Sequence, residues 1–374
     1  MTTFEFNQQV PIEFGIGALD KLPQIITRLQ GTKGLIISTK SMIQNGTVAK
    51  IKEQNPTLQE VFYDIQPNPT IQNTQDCVDL LREEQYDFAI ALGGGSVLDA
   101  AKVAAVLAPT TASVQTYFDG QYILEKAGLP LIAIPTTAGT ASEITKVSVL
   151  TDTVSGKKAP LNDALLYASY ALIDPLLTVS CSQKVTATSG IDVLAHSLEA
   201  LYSVKHQPFT DLFAKHAARL VFDYLPKAYD HPEDITVRTK MAEASVAAGM
   251  AFNLTQTAAA HACSYPLTEQ LGVPHGEACA FTLPAFWVHN AINAQDDGRL
   301  EAISRELGFN DAGHLAQAVE KLKAHLQLRT TWAELGVTTD AELQRIVDDS
   351  FSGNMLNNPV AFTPETLFEF YKGI

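Results

Sequence analysis

The chain has 374 residues, of which 46% are hydrophobic and 18% charged. That is more than one core usually serves and too apolar for disorder, so two domains or one large α/β unit are expected and a small disulfide-stapled scaffold is excluded. Against 41 acidic residues stand 26 basic ones, a formal net charge of -15, and that field repels phosphate backbones and anionic lipid, which argues against nucleic-acid and membrane partners.

The opening residues, MTTFEFNQQV, have neither the basic start nor the apolar run of a signal peptide. No later segment approaches the roughly 18 uninterrupted apolar residues of a membrane span, so a cytoplasmic protein is expected. Short β-rich runs follow at Leu35 to Ser38, Val61 to Ile65, Tyr86 to Leu92 and Leu131 to Ile134, separated by segments with helical periodicity such as Ile71 to Glu84. That alternation predicts βαβ units and a mainly parallel sheet. Leu166 to Asp174 still reads as a strand; after about Ser180 the chain reads as helix after helix, with Arg238 to Met250 dense in alanine. The expected division is an α/β domain over residues 1–179 and an all-helical domain over 180–374.

Within the first domain, Gly93, Gly94, Gly95 and Ser96 stand between a strand and the helix-favouring run Val97 to Leu107. Strand, glycine turn and helix form a phosphate-binding geometry: the N–H groups of a helix N-terminus lack partners, and glycine lets a pyrophosphate approach them. The turn matches neither G-x-G-x-x-G nor a P-loop, which disfavours ATP chemistry. A second turn, Pro135 to Thr145, is rich in hydroxyls, and two adjacent strand ends of this kind outline one ligand crevice. An unliganded turn and a plain helix-capping loop are the alternatives at these two places.

In the second domain Asp192 and His196 are spaced four apart in a helix that Ser189 opens, so both can face one cation; a core histidine beside a capping aspartate is the alternative. His261 lies in an alanine-rich helical run, and His275 follows Pro274 and precedes Gly276 in a loop. Three histidines and a carboxylate suit Fe2+ or Zn2+ with a position left open. The four cysteines, Cys77, Cys181, Cys263 and Cys279, form no C-x-x-C pair and read as reduced, buried thiols. A competing site on Cys263 and Cys279 is disfavoured, because Cys263 is two residues from His261 and projects from another helix face.

Taken together, these motifs resemble the iron-containing, metal-dependent alcohol dehydrogenases over nearly the whole chain. The resemblance runs through Pro67-Asn68-Pro69-Thr70, Gly93 to Ser96 with Asp99 and Lys102, Pro135 to Glu143, Asp174-Pro175, Gly190 to Glu199, Gly249 to Phe252, His261, Pro274-His275-Gly276 and Asn357-Asn358-Pro359. It implies an α/β dinucleotide-binding domain followed by a helical metal-binding domain, the architecture shared with dehydroquinate synthase-like enzymes, and a homo-oligomer. It also implies Asp192, His196, His261 and His275 as ligands of Fe2+ or Zn2+. Gly94, Gly95, Ser96, Thr136, Thr137, Thr140, Thr145 and Lys158 would line the NAD(P)H site.

Three positions depart from the family pattern. Tyr265 stands where many members carry a relay histidine, and its phenol is expected to orient substrate oxygen or water; packing with its hydroxyl on backbone is the alternative. Thr39 stands where NAD-using members hold the ribose with an acid, which admits NADPH. Val360 replaces a basic residue. The run Thr255 to Pro266 is most similar to the branch that reduces small anionic aldehydes, notably phosphonoacetaldehyde, and sulfoacetaldehyde reductases are similar in chemistry. The expected reaction is hydride transfer between NAD(P)H and a short aldehyde. A dehydroquinate synthase-like lyase, which recycles its nicotinamide, is the alternative, and a non-catalytic binding protein the third reading.

Overall fold

Strand periodicity explains the sheet. The computed structural model describes residues 3–374, and its larger sheet has six parallel strands in the order β1-β8-β5-β4-β2-β3. These are β1 (Ile12–Phe14), β2 (Gly34–Ile37), β3 (Leu58–Phe62), β4 (Phe88–Gly93), β5 (Leu131–Pro135) and β8 (Tyr170–Ile173); β6 (Val147–Thr151) and β7 (Lys158–Asn162) pair separately as an antiparallel hairpin. Between the strands run α1 (Leu22–Arg28), α2 (Lys40–Gln44), α3 (Thr47–Gln54), α4 (Ile71–Glu83), α5 (Gly95–Leu107) and α6 (Val114–Phe118).

Ile90, Leu92, Ile132, Ile134 and Leu172 share one core cluster with Leu22 and Ile25 of α1, Met42 of α2 and Val48 and Ile51 of α3. Side chains alternate across a strand, so Ala89, Ala91 and Ala133 face the other way, and their small size admits α5, which packs on β4 and β5. That helix is apolar nearly all round and buried along its length. Its two charged residues therefore need partners. Asp99 accepts from Ser142 Oγ at 2.5 Å and from the Val149 N–H at 2.9 Å, while Lys102 Nζ donates to the Val147 carbonyl at 2.7 Å and to Thr145 Oγ1 at 3.3 Å, tying α5 to β6. Burial pulls Lys102 down to about 8 and pushes the neighbouring Glu143 up to about 7.

The chain forms two compact units: Asn7–Thr137 with Ala141–Ser180, and Cys181–Ile374 with Ala138–Thr140 and residues 3–6. The helical unit holds α7 (Gln183–Tyr202), α8 (Pro208–Asp230), α9 (Ile235–Thr255), α10 (Ala259–Leu271), α11 (His275–Asn293), α12 (Arg299–Glu306), α13 (Ala312–His325), α14 (Asp340–Asp349) and α15 (Pro364–Lys372). α7 is buried from Gly190 to Tyr202 because α8, α9 and α11 pack around it. In this unit Phe6 stacks on Phe213 at 5.7 Å between ring centroids, and Phe4 meets Phe209 edge-on at 5.6 Å. No helix among the described residues is long and apolar enough to cross a membrane.

The fold is the α/β plus helical arrangement expected from sequence, with local corrections. The strand expected over Leu166 to Asp174 is Tyr170–Ile173, because Asp163 caps a short turn at Ala164–Leu166. β1 and the β6–β7 hairpin are additional. α7 begins at Gln183, capped by Ser182, so Asp192 and His196 lie inside the helix and not at its opening. His275 is not in a loop: Pro274 fixes the entry, and α11 starts at His275 itself.

Candidate metal centre and dinucleotide site

In the α/β unit the glycine turn is shorter than its sequence suggests. Gly93 closes β4, Gly94 is the N-cap and α5 begins at Gly95, with no side chain capping that terminus. A Cβ at Gly93 would lie 2.6 Å from Val97 Cβ, so this glycine serves the packing of the first helical turn; at Gly94 it would meet Thr137 Oγ1 at 3.3 Å. Thr136 donates its N–H to the Gly93 carbonyl at 3.0 Å. Thr39 follows β2, the other neighbour of β4, and forms an isolated antiparallel bridge with Asp64. The ends of three adjacent parallel strands therefore bring Thr39, Gly94, Gly95, Ser96, Thr136 and Thr137 to one edge of the sheet, where such sheets bind ligands.

Three expected residues stand elsewhere. Thr145 is 2% exposed, with its hydroxyl on Lys102. Lys158 opens the second hairpin strand and donates to Asn68 Oδ1 at 2.9 Å. Thr140 belongs to the helical unit, where the adjacent Gly139 lies against Ser189.

In the helical unit Asp192, His196 and Glu199 fall on one face of α7 at spacings of four and three. α10 brings in His261, its third residue, and α11 brings in His275, its first. Glycine permits that approach: a Cβ on Gly276 would lie 2.0 Å from the Thr188 carbonyl and 2.8 Å from Asp192 Cβ. Asp192 Oδ1 is 3.6 Å from His261 Nε2, and Asp192 Oδ2 is 3.9 Å from His196 Nδ1. The His196 ring stacks on Phe252 and on His261, at 4.0 and 4.6 Å. Asp192, His261, His275 and Cys279 each offer a ligand atom within 4.8 Å of the others; His196 lies outside that set.

The decisive feature is that Asp192 Oδ1, His196 Nδ1 and His261 Nε2 are buried without a hydrogen-bond partner. Each such group costs about 1–3 kcal/mol, and a cation satisfies acceptors of this kind. The donor set thus fits a divalent metal. Opposite His261 Nε2, its Nδ1 is held by the carboxylate of Glu199, which also accepts the His261 backbone N–H at 3.0 Å and the Tyr202 hydroxyl at 3.2 Å. A histidine anchored through Nδ1 presents Nε2 in a fixed direction.

Electrostatics follow from burial and proximity. Burial opposes ionisation of Asp192, yet the nearby imidazoles of His196 and His261 hold its carboxyl well below the usual range. Burial depresses His196 to about 4. It opposes the charge on His261 too, but Cys279 and Glu199 raise that imidazole well above its ordinary value.

Tyr265, four residues after His261 on α10, is raised to about 12 by burial, and its Oη accepts from Asn354 Nδ2 at 3.1 Å. Sequence reasoning missed the roles of Glu199, Cys279 and Asn354. The i+3 and i+4 spacings to His196 and His275 could have shown the first two; Asn354, far along the chain, carries no local signal.

The profile of iron-containing alcohol dehydrogenases matches residues 10–175, and the C-terminal profile of the Fe-containing alcohol dehydrogenase family matches 186–374. A long-chain-alcohol dehydrogenase from Geobacillus thermodenitrificans is 38% identical over 330 residues, 86% of this chain and 82% of its own. A sulfoacetaldehyde reductase from Bilophila wadsworthia is 32% identical over 276 residues, 73% of this chain and 71% of its own. The crystal structure of a sulfoacetaldehyde reductase from Bifidobacterium kashiwanohense in complex with NAD+ superposes with a TM-score of 0.96, at 38% identity, covering 100% of this chain and 99% of that one. The chain belongs to the iron-containing alcohol dehydrogenase family.

Proposed function

We propose that this enzyme reduces a short anionic aldehyde, of the sulfoacetaldehyde or phosphonoacetaldehyde kind, to its alcohol with NAD(P)H, using a divalent metal, Fe2+ before Zn2+. The observation that carries the metal assignment is the trio of buried, partnerless atoms on Asp192, His196 and His261. The likeness to sulfoacetaldehyde reductases, one of them bound to NAD+, supports the substrate class and the cofactor. The reading places the dinucleotide on residues 1–179 and the metal on residues 180–374, in a cytoplasmic homo-oligomer without nucleic-acid or membrane partners, consistent with the charge of -15.

In this mechanism Asp192, His196, His261 and His275 hold the ion. The ion when bound supplies Lewis acidity toward a carbonyl oxygen. Gly94, Gly95 and Ser96 would offer the open N-terminus of α5 to the pyrophosphate, with Thr39, Thr136 and Thr137 at the same end of the sheet. Glu199 keeps a proton on His261 Nδ1 and so fixes which nitrogen faces the centre. Tyr265, accepting from Asn354, retains its own proton to donate to substrate oxygen or water. One hydride and one proton are taken up per aldehyde.

The test is oxidation of NADH and NADPH over a panel of short aldehydes with Fe2+ or Zn2+ restored. Net consumption of nicotinamide with sulfoacetaldehyde or phosphonoacetaldehyde is expected; turnover without net consumption would indicate a recycling lyase. Thr39→Asp is expected to lower kcat/KM for NADPH at least about tenfold while sparing NADH, because a carboxylate accepts from ribose hydroxyls and repels a 2′-phosphate. Strict NADH dependence of the parent enzyme refutes the role given to Thr39. Tyr265→Phe is expected to lower kcat about tenfold, the worth of one hydrogen bond to the reacting oxygen. Parental kcat and KM on sulfoacetaldehyde, phosphonoacetaldehyde and an uncharged aldehyde would remove the hydroxyl from the site.

A further inference from the structure

The cluster on α7, α10 and α11 contains one donor outside the set the family resemblance implies. Cys279 follows His275 by one helical turn on α11, so both project from the same face. Its Sγ is 3.8 Å from His275 Nε2 and lies within 4.8 Å of ligand atoms on Asp192 and His261. The thiol is fully buried, and Asp192 and His261 are only 2% and 3% exposed. A separate observation points to a ligand at the same spot. Asp192 Oδ1 and His261 Nε2, 3.6 Å apart, have no hydrogen-bond partner.

Cys263 makes the contrast. It is as deeply buried, but its thiol is hydrogen-bonded to Tyr371 and Ser350 and is not among the donors that come together here. His196 approaches the cluster from the side of the other carboxylate oxygen, Asp192 Oδ2, and is not among the four mutually close donors.

We propose that Cys279 is itself a ligand of the divalent cation, completing a donor set of carboxylate, imidazole and thiolate. This rests on the metal centre assigned above and adds sulfur to it. As the sulfur–metal bond forms, the thiol proton passes to solvent. A thiolate is a softer donor than imidazole or carboxylate, so its presence shifts preference toward Zn2+ and Co2+ relative to a purely nitrogen and oxygen set.

The experiment is cobalt(II) titration of the metal-free full-length protein without oxygen, followed by absorbance and metal analysis. Stoichiometric cobalt with a near-ultraviolet thiolate-to-cobalt charge-transfer band is expected in the parent and in Cys263→Ser. In Cys279→Ser the band should vanish and cobalt should bind roughly ten- to a hundredfold more weakly. Stoichiometric cobalt without the band in the parent overturns the thiolate ligand and leaves the metal centre standing. A band that survives in Cys279→Ser, or that disappears in Cys263→Ser, also overturns it. Failure of the parent to bind cobalt overturns both assignments. Should Cys279→Ser not fold, the parent and Cys263→Ser spectra still decide the question.

Discussion

Replacing His275 by alanine is expected to strip the divalent ion and lower kcat/KM for aldehyde reduction by at least about a thousandfold. The magnitude follows from losing about 4 kcal/mol of transition-state stabilisation, the scale of a Lewis-acid contribution. The fold should survive, because the substitution falls on the first residue of α11, where alanine is a good helix former, and the close approach of that helix to α7 depends on Gly276 and not on the imidazole. Elemental analysis and turnover check it together; full occupancy with normal turnover would take His275 out of the centre. Protons should compete with the ion. In the metal-free protein His261 is held protonated well above its ordinary range, so metal affinity should rise as pH rises.

Changing Glu199 to glutamine is expected to weaken metal binding ten- to a hundredfold, although Glu199 belongs to no proposed ligand set. Its carboxylate gathers three donors: the His261 ring, the His261 backbone N–H and the Tyr202 hydroxyl. Glutamine keeps the size but turns one acceptor into a donor, so one of the three must lose its partner in a site with no solvent to replace it. Without that charge His261 also loses one cause of its elevated pKa, so the pH dependence of metal binding should move toward that of an ordinary imidazole. Metal titrations of both proteins across pH measure the two effects. Unchanged affinity together with an unchanged pH profile would show that Glu199 only packs.

The alternation of β-rich runs and helical segments disclosed the parallel sheet because buried parallel strands are dense in β-branched and aliphatic residues, as in Phe88–Gly93. β1 escaped because three half-exposed residues carry no such signature, and the hairpin because its burial alternates while Pro160 interrupts β7. At the metal cluster, the four-residue spacing of Asp192 and His196 was legible from helix geometry alone. His275 was misplaced because proline and glycine on either side usually punctuate a loop. Here proline sets the first turn of a helix and glycine admits a neighbouring backbone. With His275 taken as loop, the i+4 spacing to Cys279, present in the sequence, lost its helical meaning.

The aromatic contacts of Phe4 and Phe6 with Phe209 and Phe213 bear on how the chain is made. They join positions about two hundred residues apart, and the Glu5 carbonyl accepts from Gln207 across a separation of 202 residues. During synthesis Phe4 and Phe6 must wait for these partners until α8 has been made. Closing so long a flexible loop costs entropy. That cost falls once the intervening unit has folded, because β1 pairs with β8, Ile12 opposite Ala171, and so sets the strands by which the chain enters and leaves that sheet side by side. The α/β unit is in this sense an insertion into the helical one. A fragment beginning at Cys181 would lack the ring partners of Phe209 and Phe213, and should be less soluble than the full chain unless the segment carrying Phe4 and Phe6 is supplied in trans.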